Sequence, residues 1–307
     1  MPGFLVSGVS GLVGRHVLAG LLEQSSEELH TLARRPLPAP FAGQPRIRAH
    51  QADITDADAV AAALREARPA VVIHPAAIAD VDICERDHAL AHAVNVAGAA
   101  NIASASAAVG AHLVHVSTDY VFDGSATNPG PYDEGTAPHP INYYGQTKLE
   151  AEQLVSAICA GRVGCAICRT ALVYGINPAG RTNFILSILE NLRAGRQVRA
   201  VTDQYNTPTH AANLAAMLIA AAERRATGLY HTAGGERTSR YQLVLSLAQY
   251  FRLDTSPVVT LTSAELAQPA KRPLLSGLSV AKAERELGVP AWSLQQGFAA
   301  LQASSVA

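Results

Sequence analysis

Short apolar or β-branched runs at residues 4–7, 29–33, 47–51, 70–74, 112–117 and 165–170 alternate with helical patterns at 12–23, 58–67 and 90–108. A strand repeats its side-chain direction every two residues and a helix every 3.6, so this alternation reads as a series of βαβ units. Parallel strands joined by right-handed crossovers need helices on both faces of the sheet. The expected fold is therefore α/β, a doubly wound, Rossmann-like parallel sheet. After Tyr174 the texture changes to a Gly/Asn/Pro-rich stretch at 175–182, then helices separated by brief strands at 198–201 and 229–231. This divides the chain into a core at 1–174 and a smaller C-terminal lobe at 175–307, some segments of which return to the core. The Gly- and Pro-containing segment 123–140 reads as a long loop, the kind that lines a binding site more often than it merely connects.

With 307 residues and 49% hydrophobic content, the chain can bury a full core. Its 24 basic and 25 acidic residues nearly cancel, which argues against nucleic acid or an anionic membrane surface and for a small, specifically bound substrate. No apolar run approaches the roughly 20 residues of a membrane span. Phe4 to Val6 lead straight into a glycine turn without a basic leader, so the expected compartment is the cytoplasm. Cys165 and Cys168 form a CxxC, but on a strand residues three apart point to opposite faces and cannot share a ligand. No carboxylate cluster suggests a metal either, and none is expected.

Between the first strand and the first helix lies Gly8-Val-Ser10-Gly11-Leu12-Val13-Gly14. Glycines at a first βα junction permit a tight turn and close approach to a pyrophosphate, while the helix N-terminus supplies donors and a favourable dipole. This spacing, GxxGxxG, points to a bound dinucleotide and makes the core a dinucleotide-binding one. The second strand ends in Ala33-Arg34-Arg35 with no carboxylate to accept from a ribose 2′-hydroxyl, whereas an arginine there can pair with a 2′-phosphate. NADP(H) is accordingly expected over NAD(H). Asp53-Ile54, after the third strand, is placed to meet the adenine.

Tyr144 and Lys148 are four apart, so on a helix they share a face, and an ammonium beside a phenol favours the phenolate. A tyrosine so tuned can exchange a proton at neutral pH. Ser117 and Thr118 put hydroxyls at the C-terminal end of a central strand, where ligands bind in open α/β sheets, and either can hold a carbonyl oxygen beside the tyrosine.

Taken with these motifs, the segments His74-Pro-Ala76-Ala77, Asp80-Val-Asp82, Ser117 to Gly124 (STDYVFDG), Arg169-Thr170, Asn183-Phe184, Asp203-Gln204 with Pro208-Thr209, and Arg272-Pro273 make the chain resemble the extended short-chain dehydrogenase/reductase superfamily. Within it the chain is most similar to the dTDP-4-dehydrorhamnose reductase family. The resemblance implies that Thr118 holds a substrate carbonyl, Tyr144 donates its proton, Lys148 binds the nicotinamide ribose and Asn95 orders a helix and a water leading to that lysine. It also implies cofactor contacts from Ala76 and Ala77, substrate contacts from Asp119, Asn183, Gln204 and Arg272, a keto group of a nucleotide sugar as substrate, and a homodimer as the assembly. Two departures touch the substrate side: Ala171-Leu172 stands where the family has a tryptophan, and Leu275 where it has an asparagine. They leave open a non-nucleotide ketone as substrate. A further alternative is a non-catalytic, NADP-binding regulatory subunit like the beta subunit of methionine adenosyltransferase.

Overall fold

The computed structural model describes residues 3–24, 26–177 and 183–304, so residues 178–182 of the turn-rich stretch lie outside the described residues. The first half runs β1 (Phe4–Ser7), α1 (Leu12–Gln24), β2 (Leu29–Ala33), β3 (Ile47–Gln51), α2 (Ala57–Ala67), β4 (Val71–His74), α3 (Val81–Arg86), α4 (His88–His92), α5 (Gly98–Val109), β5 (His112–Thr118), α6 (Tyr143–Cys159) and β6 (Cys165–Thr170). The second half runs β7 (Val173–Tyr174), α7 (Phe184–Arg193), β8 (Val198–Val201), β9 (Tyr205–Asn206), β10 (Thr209–His210), α8 (Ala211–Glu223) and β11 (Gly228–His231). It continues through β12 (Thr238–Ser239), α9 (Arg240–Phe251), β13 (Val258–Leu261), α10 (Ser263–Leu266), α11 (Ala281–Leu287) and α12 (Leu294–Ser304).

Seven of these strands form one all-parallel sheet in the order β11-β6-β5-β4-β1-β2-β3. The chain winds outward from β1 to β3, then returns to β4 on the other side of β1, which opens a crevice at the C-terminal ends of β1 and β4. Every residue of β1, β4 and β5 is buried, as double coverage requires. Alternate residues divide between two cores. Phe4, Val6, Ile73 and Val114 pack with Val17 and Leu21 of α1 and Leu214 and Leu218 of α8. Leu5, Val72 and Leu113 pack with Val60 of α2, Ile102 of α5 and Val155 of α6. The CxxC is split by this alternation, Cys168 joining the first core and Cys165 the edge of the second, and all four cysteines are free.

The C-terminal half contributes to both places. β11 extends the sheet beside β6 and α8 covers α1, while Ile185, Leu189, Leu243, Leu247 and Phe298 build a separate cluster. One expected helix differs: residues 90–108 fall in α4, a π-helical turn at Ala93–Ala97, and α5. The wider turn carries Asn95, whose buried carboxamide binds the backbone of Ile78 and the hydroxyl of Thr147, contacts that a 3.6-residue pattern does not register. No helix among the described residues is long and apolar enough to cross a membrane, and no group of three or more His, Cys, Asp or Glu among them is placed to hold a metal.

Candidate active site

The crevice begins at the glycine turn. Gly11 N–H donates to the Gly8 carbonyl at 2.9 Å and α1 starts at the next residue, so its first free N–H groups face the opening. Gly8 has φ +62°, and a Cβ there would sit 2.9 Å from that of Ala76. A Cβ on Gly14 would run into the Gly8 carbonyl. Gly8 therefore lets the turn lie against Ala76 beyond β4, and Gly14 lets the helix lie this close to the strand end. Two clefts share this turn. One, of about 550 Å³, is lined by Gly8, Ser10, Gly11, Arg34, Arg35, Asp53, Ile54, Ala76 and Ala77. The other, of about 430 Å³, runs from Gly8, Gly11, Leu12, Val13 and Gly14 past Ala77 to Thr118, Asp119, Tyr144 and Lys148. Every residue expected to bind a dinucleotide thus lies on one or the other. At the outer end Asp53 Oδ1 accepts from the backbone and hydroxyl of Thr55, and its Oδ2 lies 3.7 Å from Arg34. That carboxylate is held below its usual pKa first by the Thr55 backbone bond.

At the inner end Tyr144 sits in the first turn of α6, which Asn142 caps by accepting from Gly145 N–H at 2.8 Å. Gly145 lets the helix approach the Tyr120 carbonyl, which a Cβ would strike. Thr118 ends β5 and caps a 3₁₀ turn at Asp119–Val121, accepting from Tyr120 N–H at 3.2 Å. Burial pushes the Tyr144 phenol well above the ordinary tyrosine value, and the Thr118 hydroxyl draws it partly back. This corrects the expectation that Lys148 makes the phenol acidic. The ammonium of Lys148 instead donates to the Val116 carbonyl at 2.8 Å and lies 3.4 Å from His115 Nε2. Burial lowers the lysine itself to about 8, against raising influences from Glu152 and Cys84. Asn95 touches Thr147, the neighbour of Lys148, so it ties the π turn to α6. Ser117, the other hydroxyl of the expected pair, also lines the cleft, and its buried oxygen has no protein partner.

The residues expected on the substrate side separate. Asp119 faces the cleft, accepts from Ser276 at 2.7 Å, and is raised by burial to about 6. Gln204 and Arg272 line a further cleft of about 550 Å³ with Asp123, Gly124, Ser125 and His139 from the long loop. Arg272 is gripped by both oxygens of Asp82 at 2.6 and 2.9 Å. Asn183 is not brought to any of these clefts: it caps α7, accepting from Leu186 N–H and donating to the Gly175 carbonyl. Sequence reasoning missed Arg240. It starts α9, lies over the Phe184 ring at 4.3 Å, and with Arg272 acts electrostatically on Tyr120. Its Nε is buried without a partner. No local signal marked it, because Arg240 and Tyr120 meet only through the fold.

Residues 3–305 match the family described as the RmlD substrate binding domain. A dTDP-4-dehydrorhamnose reductase from Streptomyces griseus is 37% identical over 282 residues, covering 90% of this chain and 85% of the relative. Methionine adenosyltransferase 2 subunit beta from Xenopus laevis is 31% identical over 287 residues, covering 92% and 81%. Among solved structures, a dTDP-4-dehydrorhamnose reductase from Bacillus anthracis in complex with NADP superposes with a TM-score of 0.84 at 27% identity, covering 99% of each chain.

Proposed function

The chain belongs to the RmlD substrate binding domain family, and from this membership and the geometry of the crevice we propose that it is an NADPH-dependent reductase of a keto group, the 4-keto group of a deoxysugar nucleotide such as dTDP-4-dehydrorhamnose. The observation that carries the reading is a single cleft lined at one end by the glycine turn and at the other by Thr118, Tyr144 and Lys148. The residues fit the cofactor: Gly8 and Gly14 let the turn and α1 pack tightly at the strand ends, so the glycine turn borders both clefts, and Ser117 lines the inner one. When bound, the dinucleotide supplies the hydride that adds to the carbonyl carbon.

The protein's own groups supply the proton and the positioning. Tyr144, kept protonated by burial, donates its phenolic proton to the carbonyl oxygen, and Thr118, which lines the same cleft, holds that oxygen in place. Gly8, Ser10, Gly11, Leu12, Val13 and Gly14 would take the diphosphate, Lys148 the nicotinamide ribose, and Arg34 and Arg35 the 2′-phosphate that favours NADP(H). The remote part of the substrate extends toward Gln204 and Arg272, which line the further cleft.

Absorbance of NADPH followed with dTDP-4-dehydrorhamnose, with 4-keto nucleotide sugars of other bases and with simple ketones tests this reading. Tyr144→Phe is expected to lower kcat by about 10²–10⁴-fold with NADPH affinity retained, as loss of a general acid does. The similarity to methionine adenosyltransferase 2 subunit beta motivates a second reading, a cofactor-binding subunit without turnover. Unchanged behaviour of Tyr144→Phe in every assay, with NADPH still bound, would favour that reading.

A further inference from the structure

Behind Lys148 lies a row of buried polar groups that the proposed chemistry does not use. Ser7 ends β1, His74 ends β4 and His115 stands in β5, with His74 and His115 directly paired in register. Each shares its strand parity with Leu5, Val72 or Leu113, so all three face the α6 side of the sheet. Their exposures are 0, 1 and 0%, and that of Lys148 is 2%. The contacts run in one line: Lys148 Nζ to His115 Nε2 at 3.4 Å, the His115 and His74 rings 5.3 Å between centroids, and His74 Nδ1 to Ser7 Oγ at 2.7 Å. The two ring nitrogens left over, His115 Nδ1 and His74 Nε2, are buried with no hydrogen-bond partner, so the two rings touch without bonding.

Hydrogen-bond chemistry gives this line a direction. An ammonium only donates, so His115 must be neutral and offer a lone pair at Nε2, which puts its proton on Nδ1. His74 packs its ring against that of His115 and is itself tied through Nδ1 to the Ser7 hydroxyl. Burial and the nearby ammonium keep both imidazoles neutral, which the arrangement requires.

We infer that His115, its ring packed against His74, is a positioning residue that fixes the direction of the Lys148 ammonium by presenting an acceptor at Nε2. This role rests on the reductase reading for its use in catalysis, but it is a property of the buried row itself. Lys148 has two located acceptors, the Val116 carbonyl and His115, leaving its third N–H for the cleft. Other ionisable groups around it are Tyr144 and Glu152 on α6 and Cys84 on α3, with Glu152 tied to Arg169 of β6.

The test reads the lysine and the histidines directly. The chain has three lysines, Lys148, Lys271 and Lys282, so a carbon-13 label at lysine Cε gives three resonances, that of Lys148 assigned from Lys148→Met. Loss of the acceptor in His115→Leu is expected to lower the Lys148 titration midpoint by about half to one pH unit, a threefold to tenfold change in its protonation ratio, while His115→Gln, whose amide oxygen can accept, restores most of it. An unchanged midpoint in His115→Leu overturns the inference. Should His115→Leu fail to fold, nitrogen-15 histidine spectra of the unmodified protein decide: a proton on His115 Nδ1 supports the arrangement and a proton on Nε2 overturns it. Where turnover is measured, His115→Leu is expected to lower kcat and move the alkaline limb of its pH profile down, with His115→Gln near wild type. A shifted Lys148 midpoint with no ketone reduced would leave the row standing and reject the reductase reading alone.

Discussion

Burial sets the protonation of the cleft residues more than charge pairing does. Asp119 lies under the cleft with its pKa raised to about 6, chiefly by burial and against the hydrogen bonds of Ser276 and Thr118. In an unfolded chain the same carboxyl titrates near about 4, so the folded protein holds the proton more tightly. Folding stability from this group is full below about pH 4, falls as pH rises to about 6, and stays low above it. Asp119→Asn removes the penalty and is expected to gain at most about 3 kcal/mol at pH 8, with little gain below pH 4. Denaturant unfolding at the two pH values measures this, and an equal effect at both would contradict it. At the outer end, Arg34 and Arg35 border the cleft with no acidic residue on β2 to receive a ribose hydroxyl. Replacing both by alanine is expected to weaken NADPH binding at least about tenfold while leaving NADH nearly unchanged, since a charge-assisted contact to phosphate contributes about 1.5–3 kcal/mol. Dissociation constants for both cofactors, before and after substitution, check it. At this scale the glycine turn and the Tyr144/Lys148 pair were legible because each lies within a few residues along the chain. The direction of the Lys148 ammonium was not, because Val116 and His115 reach it from another element.

Helix α6 carries both Tyr144 and Lys148, and what anchors it decides how well they are aimed. Glu152, one turn beyond Lys148, makes a two-pronged ion pair with Arg169 of β6, at 2.9 and 2.6 Å, with both residues at most 5% exposed. Arg169 also lies 5.1 Å from the centre of the Phe122 ring. Removing one partner strands the other charge in a dry interior, so Arg169→Met is expected to destabilise the protein by about 3–5 kcal/mol. The double replacement with Glu152→Met should recover a large part of that loss, because no uncompensated charge remains. Urea unfolding of the single and double variants distinguishes the two, and an additive loss would show that the pair is not coupled. Helix position was read correctly from periodicity for α1, α2 and the body of α5. The π turn at Ala93–Ala97 escaped because it is set by what Asn95 binds across the fold, not by its neighbours in sequence.

Across the whole molecule, the two halves of the chain share one sheet. α8 covers α1 and the face of the sheet formed by Phe4, Val6, Ile73 and Val114, while β11 pairs with β6 at the edge. A fragment ending at residue 174 would expose that face and leave β6 unpaired on one side. It is expected to show no cooperative thermal transition and to be cut rapidly by protease, whereas the full chain melts in a single step. Circular dichroism with limited proteolysis measures both, and a cooperative melt of the fragment would show that its core is self-sufficient.

The order of apolar runs and helical patterns fixed the doubly wound parallel sheet, since strand and helix periods are written locally and the handedness of crossovers leaves few ways to connect them. It also marked the glycine turn and the phenol–ammonium pair, whose spacing is short. Tertiary structure alone decided which charges meet. Arg272 is held by Asp82, Arg240 arrives from the C-terminal half, Asn183 serves as a helix cap, and the histidines of two neighbouring strands line up behind Lys148. Electrostatics and hydrogen bonds act over a few ångströms of space, and a sequence records distance only along the chain.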